Sequence, residues 1–452
     1  MIVGEGWRSS RRHRWIIATL AGGGLLLVLL AALWLLGTYG SPQRERAAPA
    51  APVEQAQAPL PDASEVHVDV AAANPNEVSS GVEKVEVCGT GWVDAEADGA
   101  IDLESILASP AISEARSRLL DALSSSGDPF AQAARLTIEL GSKGEGTGPL
   151  VMVELACKAG PCDATEKDRQ TGDALFEQLA KLATASTDPR VYGLAYEVCR
   201  WRQGAGPCSV LNAAQWAHLD ADNGYPWTYI LAEAIAAQEP AAIDDALFHI
   251  GAASRFEERD MAVAAMVASQ AGRSEEERFA AEKLGEVAAS LTASPSVLDS
   301  VSRSCSKDAL LEPNRRELCE SAASALAERA DSIGAIWYGS AIGRRLGWPP
   351  ERFEPLDAIY EAAREADSLS GKLTDPSRPA TKMRGPLDCA AIDKMLRYVR
   401  EVASLGEVGY ARQWLERSGK TAEYVQRGRE RHAMLVARDA AEAARRASAP
   451  RR

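Results

Sequence analysis

Hydrophobic and polar positions follow two different rules along the chain. From Ile16 to Leu36 they do not alternate at all: IIATLAGGGLLLVLLAALWLL is an unbroken apolar run, and no charge lies between Arg14 and Arg44. As a helix this run is about 31 Å long at ~1.5 Å per residue, close to the ~30 Å of a bilayer's hydrocarbon core. Beyond about residue 81 the apolar positions instead recur at spacings of three and four, and strict Val/Ile/Thr alternation is scarce. That period is helical. The chain therefore reads as all-α: one transmembrane helix over residues 15–37, followed by a body of amphipathic helices.

Charge orients the apolar run. Arg8, Arg11, Arg12 and Arg14 precede it against the single acid Glu5, so the positive-inside rule keeps residues 1–14 in the cytoplasm and exports the rest. Trp15, Trp34 and Tyr39 sit near its ends, as interfacial aromatics do. A cleaved signal peptide is the rival reading, but its apolar region usually spans only 7–15 residues. The expected place is thus a bacterial inner membrane, crossed once, with the bulk in the periplasm and the bilayer as partner of residues 15–37. Residues 38–80 are rich in Ala and Pro, with Pro42, Pro49, Pro52, Pro59 and Pro61 at short intervals, and read as an extended tether.

The body divides by pattern into an N-terminal helical region (81–187), a central region (188–299) and a C-terminal region (300–448). Val82–Val93 alternates briefly and reads as one short strand. Helices are expected at Leu103–Ser109, Ser113–Ser125, Pro129–Leu140, Leu150–Cys157 and Thr171–Ala185. Asp188-Pro189 is an N-cap followed by proline at the first helical position. A helix over residues 191–202 and another opening at Cys208 would form a hairpin. Further helices follow within Ser296–Trp348, at Leu356–Leu369, along the Ile392, Met395, Leu396, Val399, Val402 face, at Gly409–Ser418 and from Thr421. Gly371–Arg384 reads as a polar loop.

In the central region, Leu219, Asp220 and Asn223 form a helix-to-helix link. Trp227 and Ile230 follow on the next helix, and Ala246 and Ala253 take small-residue positions on the one after. This order resembles the tetratricopeptide repeat, a family of helical hairpins of about 34 residues each. Ala221, Leu231 and Ile250 stand where that family has proline, glycine and an aromatic. The resemblance spans residues 188–299 and implies a stack of hairpins, with Trp227 packed between two helices; it implies no substrate.

The chain has eight cysteines. An even number sent to an oxidising compartment predicts disulfides. Local pairing gives Cys157–Cys162, Cys199–Cys208 and Cys305–Cys319, and leaves Cys88 with Cys389. The ten-residue loop of the second contributes about 2.7 kcal/mol on the chain-entropy model.

The net charge is −14. Both ends are basic, and Arg427–Arg452 alone holds eight arginines against three acids, so the middle is more acidic still. That argues against nucleic acid as a partner. The basic tail reads as a solvated helix, or as a contact for anionic lipid. The five histidines are dispersed, with no HExxH. Ser304-Cys-Ser-Lys307 fits SxxK, but neither SDN nor KTG follows. No catalytic residue, cofactor site or metal site is assigned. The expectation is a non-enzymatic scaffold for an envelope protein or peptide. Two rivals stand beside it: a wall-modifying hydrolase with an unrecognised carboxylate pair, and a structural oligomer joined through Ala18-xxx-Gly22.

Overall fold

Proline and short polar side chains punctuate the body. In the computed structural model, which describes residues 84–95, 101–142, 165–202, 205–259, 261–292, 295–370, 382–383 and 387–448, helices open on Pro110, Pro129, Pro189, Pro240, Pro313 and Pro350. Proline suits that position because its missing N–H has no partner there and its φ is already helical. The transmembrane helix, the tether, the helix at Leu150–Cys157 and the Cys157–Cys162 pair lie outside the described residues. Among the described residues no helix is long and apolar enough to cross a membrane.

The described body is almost wholly helical. In order come α1 (Leu103–Leu107), α2 (Pro110–Ser125), α3 (Pro129–Gly141), α4 (Glu166–Ala185), α5 (Pro189–Cys199), α6 (Ala213–Leu219), α7 (Tyr225–Ala237) and α8 (Pro240–Ala252). They are followed by α9 (Ala262–Gln270), α10 (Glu275–Thr292), α11 (Pro295–Ser304), α12 (Pro313–Glu328), α13 (Ile333–Leu346), α14 (Pro350–Ser370), α15 (Cys389–Ser418) and α16 (Thr421–Ser448). Capping is local: Asp128 accepts from the Phe130 N–H at 2.9 Å and Asp188 from the Arg190 N–H at 2.8 Å. Such caps are worth about 1 kcal/mol each.

Three expectations change. The Val82–Val93 stretch is a hairpin rather than one strand: β1 (Lys84–Val87) pairs antiparallel with β2 (Gly91–Asp94), Val85 opposite Val93. Gly89 and Gly91 turn it at φ 76° and 81°, which side-chain-bearing residues adopt only at a cost. The helix expected to open at Cys208 begins at Ala213, because Asn212 caps it through the Gln215 N–H, and Cys208 sits in a 3₁₀ turn (Gly206–Val210). Within the expected polar loop, Lys382–Met383 (β4) pairs with Ile101–Asp102 (β3).

Packing joins neighbours in sequence and then segments far apart. The pairs α7–α8, α9–α10 and α12–α13 lie side by side, and α8 packs on α12. Yet α10 also lies across α2 and α3, and α15 returns from α14 to α9 and α10. The body therefore departs from a one-dimensional stack, in which each repeat touches only its neighbours. One continuous core runs from Val87 and Ile101 to Leu415 and Tyr424. Disulfides join Cys88 to Cys389, Cys199 to Cys208 and Cys305 to Cys319. The first ties the β-hairpin to the start of α15 across 301 positions.

Candidate functional site

The link between α6 and α7 is built on a buried amide. Asn223 is fully enclosed. Its Nδ2 donates to Asp220 Oδ2 at 2.9 Å and to the Glu257 carbonyl at 3.1 Å, and its Oδ1 accepts from the N–H groups of Tyr225 (3.1 Å) and Glu257 (2.9 Å). Both donors and both acceptor positions are filled. Asn223 thereby clamps the link to the segment after α8. Arg255 and Arg259 add ion pairs to the buried Asp220. Arg259 does so at φ 60°, a conformation a non-glycine residue holds only when its surroundings enforce it.

The other residues of the resemblance lie nearby. Ala246 and Ala253 are buried, while Leu219, Trp227 and Ile230 are half-buried. Trp227 stacks on His249 of α8, centroids 3.8 Å apart and planes at 9°. Deeper positions belong to Tyr225 and Tyr229, whose hydroxyls both donate to the buried Glu197 at 3.1 Å.

Three remote segments converge beside this link. The Phe256 N–H donates to the Arg329 carbonyl, the Asp331 N–H to the Phe256 carbonyl (3.0 Å), and the Val408 N–H to the Asp331 carbonyl (3.0 Å). Where they meet, α15 is kinked at Gly406, φ 71° and ψ 161°. A side chain there would stand 2.6 Å from Asp331 Cβ, so glycine is required twice over.

These segments frame a cleft of about 510 Å³. Met261, Ala262, Ala265 and Met266 of the α9 side form one wall, and Val402–Gly406 of α15 the other. Four acids border it, each holding a structural contact. Glu407 accepts from the Ile333 N–H (2.9 Å) at the start of α13. Glu258 accepts from the Ser332 hydroxyl, which itself caps α13 through the Ala335 N–H. Glu257 pairs with Arg255 and Arg259. Asp331 accepts from the Glu258 N–H at 3.1 Å. Burial, with Glu257 and Glu407 close by, pushes the Asp331 carboxyl up to about 6.

Met261 also borders an apolar hollow of about 340 Å³ between α9, α10 and α15, with Met395, Tyr398 and Val399 opposite. At its edge lies a buried ion pair, Glu282–Lys283, at 2.9 Å; burial raises the Glu282 carboxyl despite the lysine. Tyr398 is shared with a third recess of about 450 Å³ between the two arms of α15.

Comparison of the chain with protein-family models, with curated proteins and with solved structures finds no match. The site therefore stands on its own chemistry. The cleft residues Asp331, Glu258, Glu407, Met261 and Met266 carry no motif, and their only sequence signal is local. Asp331-Ser332 precedes an apolar run, as a cap does. The basic tail also finds neighbours: Arg427 pairs with Glu365 at 2.8 Å and Arg431 with Glu361 at 2.6 Å, both on α14.

Proposed function

We propose that the chain is a membrane-anchored scaffold of tetratricopeptide-like helical hairpins that displays a binding cleft to a protein or peptide partner in the bacterial envelope. The anchor and tether of residues 15–80 place the body, and their apolar and Pro/Ala patterns support that part of the reading. One observation carries the binding role: a cleft of about 510 Å³ with two methionines, Met261 and Met266, on one wall and its charged rim already tied into the framework. Methionine is unbranched and polarizable and adapts to varied apolar partners. A rim that is already hydrogen-bonded costs little to desolvate and fixes the cleft's shape before the partner arrives.

The test is site-specific photo-cross-linking in intact cells. A photoreactive residue at Ser269 or Ser404, on opposite lips of the cleft, yields a discrete adduct, and one at the exposed Ser117 of α2 does not. Equal labelling from all three positions, or none from the cleft, ends the scaffold reading.

A hydrolase has one observation in its favour, the raised Asp331 carboxyl in a cleft with other acids. Against it, every bordering acid supports a backbone or side-chain junction. Incubating the full chain with purified cell wall separates the two. The scaffold releases no soluble fragments; release that disappears in Asp331→Asn establishes the enzyme.

A further inference from the structure

Two kinds of side chain share the cleft, and they occupy different parts of it. Glu257, Glu258 and Arg259 lie just before α9, and Asp331 and Glu407 join them from the start of α13 and the kink of α15. Arg190 completes the charged set. Along α9 the lining turns apolar. Met261, Ala262, Ala265 and Met266 recur at helical spacing as far as Ser269, a stripe of about 10 Å at ~1.5 Å per residue. Leu405, 39% exposed, stands on the opposite lip.

The charged end is negative. Four carboxyls line it against two guanidiniums. Arg190 is shared with Asp188 at 2.6 Å and Asp128 at 4.0 Å, and Arg259 with the buried Asp220 at 3.5 Å, three acids outside the cleft lining. Part of each positive charge is thus directed elsewhere. The contacts that orient the acids also leave their charge in place. The N–H groups of Glu258 and Ile333 and the Ser332 hydroxyl are neutral donors, which aim a carboxylate without cancelling it. Burial, and then the negative charge of Glu257 and Glu407, pushes the Asp331 carboxyl up. A cation entering this end meets carboxylates already aimed and partly desolvated, where attraction is stronger than in water. An anion is repelled. Three extended residues at roughly 3.3 Å each span the apolar stripe beside it.

We infer that the cleft selects a basic, apolar peptide segment of the partner, with a lysine or arginine at the acids before α9 and, within about three residues, an apolar side chain against Met261, Met266 and Leu405. The inference rests on the scaffold reading and gives that partner its chemistry.

Fluorescence anisotropy on the full chain in detergent at pH 8, where Asp331 is ionised, tests it with three labelled probes. Gly-Lys-Leu-Lys-Leu-Gly binds. Its counterpart with glutamate for lysine does not, and the one with serine for leucine binds severalfold more weakly. Affinity for the first probe falls severalfold in Asp331→Asn, which removes one charge without weakening the fold, and severalfold in the double variant Met261→Ala, Met266→Ala. A control on the exposed face of α2, Glu114→Gln with Asp121→Asn, binds as wild type, and thermal melts verify that each variant is folded. Equal binding of the lysine and glutamate probes overturns the inference, as does undiminished binding by Asp331→Asn. Equal binding of the leucine and serine probes with the methionine variant silent also overturns it, since that marks attraction to an acidic surface alone. If cross-links form at Ser269 and Ser404 in cells while the basic probe fails to bind, the scaffold reading stands and this inference falls; if the cleft yields no cross-link, the scaffold reading itself falls.

Discussion

The Asn223 junction beneath the cleft and the α14–α16 face are both dense in charge, and they use it in opposite ways. At the junction every polar group is answered from within: Asn223 has four hydrogen bonds, Asp220 two arginines, Glu407 a helix N-terminus. On the other face the charges form a ladder along two helices. Arg427, Arg429 and Arg431 meet Glu365, Glu354 and Glu361. The junction fixes a shape from the inside; the ladder ties one helix to another along a partly exposed surface.

Five substitutions would break or sharpen this contrast. The largest effect is expected from Cys88→Ala with Cys389→Ala. Closing a loop of 301 positions restricts the unfolded chain by roughly 5–6 kcal/mol on the chain-entropy model. A denaturation midpoint that hardly moves would show that β1–β2 and α15 are held without the bridge.

Asn223→Ala comes next. It strands two N–H groups and a carbonyl and takes one hydrogen bond from Asp220, which keeps its arginines, at about 3–5 kcal/mol in all. Calorimetry should show a lower melting temperature, and Ser269 cross-linking should be lost with it. Arg431→Ala is expected to cost about 2–3 kcal/mol, because Asp357 and Glu361 are buried and each would lose one of two counter-ions, keeping Arg344 and Arg364. Chemical denaturation measures it, and a loss below about 0.5 kcal/mol would place this pair with ordinary surface contacts.

Asp331→Asn works in the opposite direction. The folded-state value near 6 lies above the ordinary 3.8, so the fold holds the proton more tightly than the unfolded chain. The protonated fold's advantage is complete below about 3.8 and disappears as pH rises through about 6. Asparagine mimics the protonated form at any pH. Melting curves should therefore show the variant more stable by about 3 kcal/mol at pH 8, and the difference should close by pH 4. A gap that is the same at both pH values would rule out titration of Asp331. The smallest change belongs to Arg429→Ala. Its pair with Glu354 is solvent-exposed, and a shift within about 0.5 kcal/mol is expected by the same denaturation assay.

The sequence was most informative where chemistry is local. Period-three-and-four spacing indicates helices because one face must be apolar, and Asp188-Pro189 marks a start because both residues suit the first turn. The Ile392, Leu396, Val399, Val402 face of α15 is buried for the same reason. One helix start and one strand came out differently for local reasons. Asn212 captures the free Gln215 N–H at the start of α6, and Gly89 and Gly91 let one alternating stretch turn and pair with itself.

The candidate site was legible only in part. Asn223 stands out as a link residue, but its role as a clamp depends on Glu257, 34 positions away. Nothing along the chain brings Glu258, Asp331 and Glu407 together, because Glu258 lies between α8 and α9, Asp331 between α12 and α13, and Glu407 beside the kink of α15.

What the chain's order of residues determined by itself was helix: where apolar faces lie, where prolines and caps begin a turn, and that an acidic surface with paired cysteines would surround them. These are consequences of spacing over a few residues. Only the tertiary structure decided which helix ends meet, because that choice depends on side-chain fit between segments 70 or more positions apart. It folded α15 back at Gly406 and gathered the acids at the cleft.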